Sequence, residues 1–313
     1  MGNAKQKLTI ILLFLLLLIV IPVFLYFISK SQNITDKRIT SPIVNFVETI
    51  SRSKLKHIVE SNFSKEKGEW AVVVKNLKTG ESFKYNGNQK FDSASLYKLW
   101  VMAVAKGQIE NGNLNEGTLL SAEKEKLDET LSTVTPTPTP LDFIPTPTPE
   151  EFKKEIISMT VSDALEKMIT ISDNYSALLL SARVGPSNIT SFLKDYGFDN
   201  SNYASPPETS ASDIAEFFEL LYKGEIVSEK TSIEMIEILK QQTFDDRIPK
   251  YLPKNTEVAH KTGELFGAKH DAGIVFSKGG DYIIVVLSKT ENEKEAAEKI
   301  ARFSEEIYKY FNN

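Results

Sequence analysis

Ser95 and Lys98 are the two residues whose types and spacing first point to chemistry. They lie three positions apart, so on a helix the serine hydroxyl and the lysine amine share one face. The positive end of the helix dipole favours an oxyanion that forms at the first turn. A lysine in apolar surroundings can lose its proton near neutral pH and act as a base. The pair therefore fits a serine nucleophile with a lysine base.

The residues around this pair predict the element that must position it. An apolar run with helical spacing follows Ser95, formed by Leu96, Leu99, Trp100, Ala103 and Val104. Ser93 or Ser95 is suited to cap the first turn of such a helix. We therefore expect a buried helix that begins at the hydroxyl of Ser95.

Two further motifs follow this helix, and the three together point to a family. Ser172-Asp173-Asn174 lies in a loop within a predicted helical region, and Lys261-Thr262-Gly263 lies on a predicted strand. Each motif alone arises often by chance. The ordered set S-x-x-K, S-D-N and K-T-G is the signature of class A β-lactamases and penicillin-binding proteins. From about Trp70 to its end, the chain resembles that family of serine hydrolases.

The resemblance implies roles for the first two motifs and a substrate class. Ser95 would be the acylated nucleophile and Lys98 the nearby base. Ser172 would pass a proton to the leaving nitrogen, and Asn174 would hydrogen-bond the acyl-side amide of the substrate. The substrate would be a β-lactam or a D-Ala-D-Ala-type peptide of the peptidoglycan stem, and no cofactor is implied.

The third motif would bind the substrate along a strand. The resemblance implies that Lys261 supplies positive potential and that Thr262 hydrogen-bonds the substrate carboxylate. Gly263 would let the substrate lie close to the strand. The backbone N–H groups of Ser95 and Glu264 would form the oxyanion hole. Glu264 is an unusual residue directly after this motif, because its carboxylate would repel an anionic substrate unless its side chain points away.

The glutamate that activates the deacylating water in class A enzymes, in an E-x-x-L-N context, has no counterpart in the sequence. Between Phe198 and Asp213 the only glutamate is Glu208, which is a candidate deacylation base. Its alternative role is an acid that complements the dipole at a helix start near Thr209 and Ser210. Asp199 is a weaker candidate. The sequence therefore predicts acylation but leaves rapid deacylation in doubt.

The predicted elements give a fold of the α/β (α+β) class, and the resemblance implies that it is of the β-lactamase/transpeptidase-like type. Helical patterns dominate from Ser95 to about Leu239, and they predict an all-helical lobe at about residues 100–240 inserted between two groups of strands. We expect one antiparallel five-stranded sheet, flanked by helices and built from both ends of the chain. The predicted strands are Trp70–Asn76, Glu81–Tyr85, Glu257–Thr262, Gly273–Ser277 and Tyr282–Ser288.

Composition excludes several classes of function. The 313 residues carry a net charge of −5 and no basic block, which argues against a nucleic-acid partner. Cysteine is absent, so disulfides and thiolate metal sites are excluded. With only His57, His260 and His270, no metal site is predicted, and the last two are expected to be structural. A monomer is expected.

The N-terminal region predicts a membrane anchor. Residues 8–28 form an uncharged apolar run of a length that suits a spanning helix, between a tail at 1–7 and a linker at 29–40. The alternative is a cleaved signal peptide, for which the run is long and the following residues are poorly suited. Lys5 and Lys7 predict a cytoplasmic N-terminus and an extracytoplasmic catalytic domain at 41–313. Within that domain, Thr-Pro repeats predict an extended insertion at 133–149.

These observations leave three functions to compare. The first is a membrane-anchored extracytoplasmic serine hydrolase that β-lactams or cell-wall peptides acylate. The second is a cell-wall (peptidoglycan)-binding protein with weak or no catalysis. The third is a membrane-tethered scaffold in which the Thr-Pro insertion matters most. Covalent labelling of Ser95 separates the first from the other two.

Overall fold

The structure, a computed structural model, describes the backbone of residues 42–134 and 155–313, and the side chains of residues 53–132 and 155–313. Nine strands occur within these ranges: β1 Glu69–Asn76, β2 Ser82–Tyr85, β3 Lys90–Asp92, β4 Leu119–Glu123, β5 Ile156–Thr160, β6 Glu208–Ser210, β7 Val258–Leu265, β8 Ala268–Val275 and β9 Tyr282–Lys289. The helices of the same ranges are α1 Pro42–Phe63, α2 Lys98–Glu110, α3 Lys124–Val134, α4 Val161–Thr170, α5 Asn174–Val184, α6 Pro186–Asp195, α7 Ala211–Tyr222, α8 Glu229–Leu239 and α9 Glu293–Asn312.

Five of the strands form one antiparallel sheet in the order β2-β1-β9-β8-β7. The sheet unites both ends of the described domain, because β1 pairs with β9 along its whole length, with Val73 opposite Val285. The predicted five-stranded antiparallel sheet with an inserted helical lobe is therefore confirmed. Strand β7 lies at the edge of the sheet, where one side of its backbone has no strand partner among the residues that the structure describes.

The sheet is covered on both faces, which explains the near-continuous apolar runs in its central strands. On one face Val72, Val74, Ile284 and Val286 pack with side chains of α1 and α9. On the other face Ala71, Val73, Ile283 and Val285 join the core of the helical lobe. Helix α2 crosses that core, with Leu99, Trp100, Val101 and Met102 all buried.

Several helix starts have local sequence causes. The side chains of Thr160, Asp173, Ser210 and Ser228 each accept a hydrogen bond from the backbone N–H three residues ahead. The N-cap of α9 is Asn292, whose side chain likewise accepts from the backbone N–H of Glu295.

Two strand pairs lie outside the main sheet and were not predicted. The lobe predicted as all-helical at about residues 100–240 therefore also contains strands β4, β5 and β6. Strand β4 pairs with β5, and β3 pairs with β6. Both are short, and they join segments that are far apart in the chain, so no local hairpin signal announces them. The pair β3–β6 matters for the site because β3 ends directly before the segment of Ser95.

The predicted anchor at 8–28 and the predicted insertion at 133–149 lie outside the residues whose side chains the structure describes. Among the helices it does describe, none combines the length and apolar character needed to cross a membrane. Residues Ile50–Asn313 form one compact unit, and the predicted site residues all belong to it.

Candidate active site

Ser95 lies in a tight turn and not in the α-helix itself. The segment Ala94–Tyr97 is one turn of 3-10 helix, and α2 begins at Lys98. Ala94 has a positive φ of 45°, which an alanine rarely adopts. The predicted serine cap is wrong: Ser93 makes no capping bond, and its hydroxyl instead donates to Ala94 O. Asp92 replaces it, because its Oδ1 accepts from Ala94 N at 2.9 Å.

Lys98 is fully buried at the first position of α2. Its Nζ donates to Ser172 O at 2.6 Å, to Ser172 Oγ at 3.2 Å and to Asn174 Oδ1 at 2.8 Å. Burial lowers the pKa of Lys98 to about 7, although the charge of Asp173 opposes this. The three bonds use the three protons of the charged amine. The neutral amine has a lone pair and can therefore accept a proton from a hydroxyl.

The loop that receives Lys98 connects α4 to α5. Ser172 has a positive φ of 56°, and Asp173 caps α5 by accepting from Ser176 N at 2.7 Å. This cap places Asn174 at the first position of α5, where its side-chain oxygen faces Lys98. The spacing of the motif therefore has a local cause. Ser172 adopts the positive φ of the turn, Asp173 caps α5, and Asn174 contacts Lys98.

Lys261 approaches the same loop from strand β7. Its fully buried Nζ donates to Ser172 Oγ at 2.9 Å and to Thr262 O at 2.9 Å. Burial lowers the pKa of Lys261 well below its usual value, and the charge of Lys98 lowers it further. Ser172 Oγ thus lies between two buried amines that disfavour each other's protonation. Such an arrangement can move a proton through the serine hydroxyl.

A cleft of about 280 Å³ brings the predicted site together. Its walls come from the Ser95 turn, the Ser172 loop, the edge strand β7 and the segment before β6. The predicted site residues that line it are Ser95, Ser172, Asn174, Thr262 and Glu264. Lys98 and Lys261 lie behind this wall and reach it through Ser172. A larger depression, of about 900 Å³, shares none of these residues and contains no predicted site residue.

Gly263 packs closely against His270 and Ala94. A Cβ at this position would lie 3.1 Å from His270 Cδ2 and 3.3 Å from Ala94 Cβ. The glycine therefore lets β7 pack closely against the turn that carries Ser95. Close approach of a substrate along the strand was the only reason that the sequence suggested for this glycine.

Glu264 is neutralised by two cations. Arg247 Nη2 donates to its Oε2 at 2.8 Å, and Lys269 Nζ forms an ion pair with its Oε1. Burial would raise the pKa of Glu264, but the hydrogen bond from Lys269 and the charge of Arg247 outweigh this and lower it. The expected repulsion of an anionic substrate is therefore offset locally. Arg247 and Lys269 were not identified from the sequence, because neither lies in a motif.

We predict that Arg247→Met lowers the free energy of unfolding by about 3 kcal/mol, because it removes one partner of a buried polar network. Arg247 is 1% exposed, and its Nη1 also donates to His270 O at 2.8 Å, so that carbonyl would lose this hydrogen bond. Urea unfolding of the full chain measures the change. The matched control is Arg183→Met, since Arg183 is exposed and bonded only to Asn113 O, at 3.2 Å, among the described residues. Equal effects of the two variants would contradict the prediction.

His260 and His270 have the structural roles that their positions suggested. His260 Nδ1 lies 2.9 Å from Asp271 Oδ1, between β7 and β8. Ser288 N donates to His270 Nδ1 at 3.1 Å, so the proton of the neutral ring is on Nε2, which donates to Asp92 O at 2.9 Å. His270 thereby links the main sheet to β3. Burial lowers the pKa of His270 to about 4, although its hydrogen bond with Asp92 opposes this.

The lowered pKa of His270 predicts a loss of stability in acid. An unfolded histidine titrates near pH 6.5, so below that pH the unfolded chain binds a proton that the folded chain rejects. The stabilisation is fully present above about pH 6.5. It falls by up to about 1.4 kcal/mol per pH unit as the pH decreases towards about 4. Urea unfolding between pH 7 and 4.5 should show a smaller pH slope for His270→Gln than for the unmodified chain. The exposed His57, replaced by Gln, is the control, and a slope unchanged in His270→Gln would refute the prediction.

Glu208 lies in a strand and not at a helix start. It is directly opposite Asp92 in the pair β3–β6, and its Oε2 accepts from Asn202 Nδ2 at 2.9 Å. The acid in the first turn of α7 is Asp213, so the dipole role considered for Glu208 is wrong. Asp199 is exposed and its carboxylate is not part of the cleft wall.

Asp213 holds the short loop that precedes β6. Its Oδ2 accepts from Asn200 N and Ser201 Oγ, both at 2.8 Å, and its Oδ1 accepts from Ser210 Oγ at 3.1 Å. The sequence signal was weak, because an acid in the first turn of a helix is common. No group of ligating side chains suited to a metal ion occurs within the described ranges.

Comparisons with known proteins agree with this geometry. The chain is 23% identical over 305 residues to the β-lactamase BRO-1 of Moraxella catarrhalis, covering 89% of this chain and 91% of that enzyme. It is 25% identical over 274 residues to the β-lactamase CARB-4 of Pseudomonas aeruginosa, covering 80% and 88%. A solved β-lactamase from Sphaerobacter thermophilus matches with a TM-score of 0.68 at 18% identity, covering 83% of this chain and 97% of that chain.

The protein PBP-A matches with a TM-score of 0.69 at 22% identity, covering 84% of this chain and 96% of that chain. These structural likenesses show a shared fold. Membership of a family is shown by a family model. The model described as the β-lactamase enzyme family matches residues 51–311, which are most of the chain. The chain therefore belongs to the β-lactamase family of serine hydrolases.

Proposed function

We propose that this chain is a serine acyl-hydrolase in which Ser95 is acylated by β-lactams or by D-Ala-D-Ala-type peptides. The observation that carries the proposal is the meeting of the Lys98 and Lys261 amines at Ser172 Oγ, on the wall of the cleft that Ser95 also lines. A structural role alone gives no reason to bury two amines that lower each other's proton affinity.

Acylation then proceeds from these residues. Neutral Lys98 takes the proton of Ser95 Oγ, which attacks the carbonyl carbon of the substrate amide. The N–H groups of Ser95 and Glu264 receive the oxyanion. As the carbon–nitrogen bond breaks, Ser172 gives its proton to the leaving nitrogen and is reprotonated by the lysine pair. The product is an ester on Ser95, and every proton is accounted for.

The expected substrate carries a carboxylate. Lys261 gives positive potential to the wall that Thr262 lines, and the ion pairs of Glu264 remove the competing negative charge. Strand β7 at the sheet edge offers backbone groups for an extended substrate. A variant of PBP-A is known as an acyl-enzyme complex with penicillin G, which supports a penicillin as the probe.

Intact-mass spectrometry of the full chain with penicillin G tests the proposal. We expect an adduct equal to the mass of penicillin G, located by digestion to the peptide that contains Ser95. A long-lived adduct would indicate a penicillin-binding protein, and rapid loss of the adduct would indicate a β-lactamase. Absence of both an adduct and hydrolysed penicillin G would overturn the proposal and favour a non-catalytic peptidoglycan-binding protein that retains the cleft.

The proposal also includes an extracytoplasmic, membrane-anchored location, for which the support is the uncharged apolar run at 8–28 preceded by Lys5 and Lys7. Alkaline carbonate extraction of membranes from cells that express the full chain should leave it in the pellet. Release into the supernatant would contradict the anchor without affecting the assignment of the cleft.

A further inference from the structure

Among the described residues, the cleft wall contains two carboxylates, Asp92 and Glu264, of which Glu264 alone forms ion pairs with cations. Both oxygens of Glu264 form ion pairs, with Arg247 and Lys269. Asp92 also lines the cleft, but among the described residues it has no ion pair, and its Oδ1 accepts one backbone hydrogen bond from Ala94 N. A carboxylate free of cations keeps lone pairs with which it can take a proton.

Asp92 lines the same cleft as the nucleophile Ser95 and closely precedes it in the chain. It is the last residue of β3 and lies three positions before Ser95, so the two Cα atoms are at most about 11 Å apart. Its backbone oxygen accepts from His270 Nε2, and Ala94 N fixes one carboxylate oxygen. The second oxygen forms no hydrogen bond within the part of the chain that the structure describes. The backbone anchors therefore fix the residue while one acceptor remains available.

The surroundings of Asp92 favour a base. Burial raises its pKa, the Ala94 N–H opposes this, and the charge of Glu208 on the opposite strand raises the pKa again. Two acidic side chains directly opposite each other in a strand pair repel, so this pairing does not stabilise the fold. Glu208 itself is bonded to Asn202 and does not line the cleft, so it is less suited to reach a bound ester.

We propose that Asp92 is the general base of deacylation, the role for which the sequence offered only Glu208 and Asp199. Asp92 takes a proton from a water molecule, and the resulting hydroxide attacks the carbonyl carbon of the Ser95 ester. As the bond between that carbon and Ser95 Oγ breaks, the proton passes from Asp92 to Ser95 Oγ. The products are a free acid and the original serine. This inference rests on the proposed acylation of Ser95.

The test is the Asp92→Asn variant of the full chain, acylated with penicillin G and followed by intact-mass spectrometry. Asparagine keeps the Oδ1 acceptor for Ala94 N but cannot take a proton. We expect acylation within about threefold of the unmodified chain and a deacylation rate at least about 100-fold lower, the usual size of general-base catalysis. Asp92→Ser, which also keeps a short acceptor, should behave alike. Asp92→Glu should restore part of the rate.

Asp199→Asn is the matched control, because Asp199 is an exposed acid that does not line the cleft. Deacylation within threefold of the unmodified chain in both Asp92→Asn and Asp92→Ser would overturn the inference. An unmodified chain whose adduct is never released would also overturn the inference. A loss of acylation as large as the loss of deacylation in the Asp92 variants would overturn it too, because Asp92 would then act only by shaping the turn that carries Ser95. Failure of the unmodified chain both to form any adduct and to hydrolyse penicillin G would instead contradict the acylation on which the inference rests.

Discussion

Ser95→Ala is expected to abolish covalent labelling of the chain by a fluorescent penicillin. In the proposed mechanism the ester forms at Ser95 Oγ, whereas Ser172 Oγ, which contacts the amines of Lys98 and Lys261, relays protons between them. We expect the second-order labelling rate to fall by more than about 1,000-fold, which is typical when a nucleophile is removed. Gel fluorescence over time measures this rate.

Ser187→Ala is the matched control for this experiment. Ser187 lies exposed near the start of α6 and does not line the cleft. Its replacement should leave the labelling rate unchanged. Persistent labelling of Ser95→Ala at the rate of the unmodified chain would show that another residue is acylated, and it would remove Ser95 from the mechanism.

The labelling rate should rise with pH through about 7. Lys98 acts as a base only in its neutral form, and burial lowers its pKa to about 7. Below that pH the rate should increase about tenfold per unit, and above it the rate should level off. The apparent pKa belongs to the pair of Lys98 and Lys261, because the two buried charges interact. Stopped-flow acylation between pH 5.5 and 9 measures the profile.

Lys98→Arg tests the same step by substitution. A guanidinium keeps the positive charge but does not lose its proton in proteins, so the labelling rate should fall by about 100- to 10,000-fold. Lys98→Met removes the charge as well and should be as slow. Lys194→Arg is the control, since Lys194 is exposed on α6. A pH-independent rate, or near-normal labelling of both Lys98 variants, would exclude Lys98 as the base.

The sequence predicts the main sheet and the three motifs because their signals are local. The central strands are continuous apolar runs, and each motif includes residues that shape its own turn, as Asp173 does by capping α5. The family likeness then indicates which residues should share a cleft. The position of Ser172 agrees with this expectation, since its hydroxyl lies between the amines of Lys98 and Lys261.

The supporting residues could not be predicted, because their partners are distant in sequence. Arg247 bonds to Glu264 and to His270 O, and Asp213 holds a loop that begins thirteen residues earlier. The turn before Ser95 could not be predicted for the same reason, although the residues concerned are close in sequence. Two serines were suitable caps by residue type, yet the acceptor is Asp92, whose position is set by the pairing of β3 with β6.

The pairing of β1 with β9 has a consequence for synthesis of the chain on the ribosome. Val73 can pair with Val285 only after the whole helical lobe between them has been translated. At translation rates of about 5–20 residues per second, β1 has no neighbour on that side for roughly 10–40 s. During this time the nascent chain exposes a strongly apolar strand edge, which is a binding site for holding chaperones and a starting point for aggregation. The helical lobe, whose interactions are more local, can fold before the last strand leaves the exit tunnel.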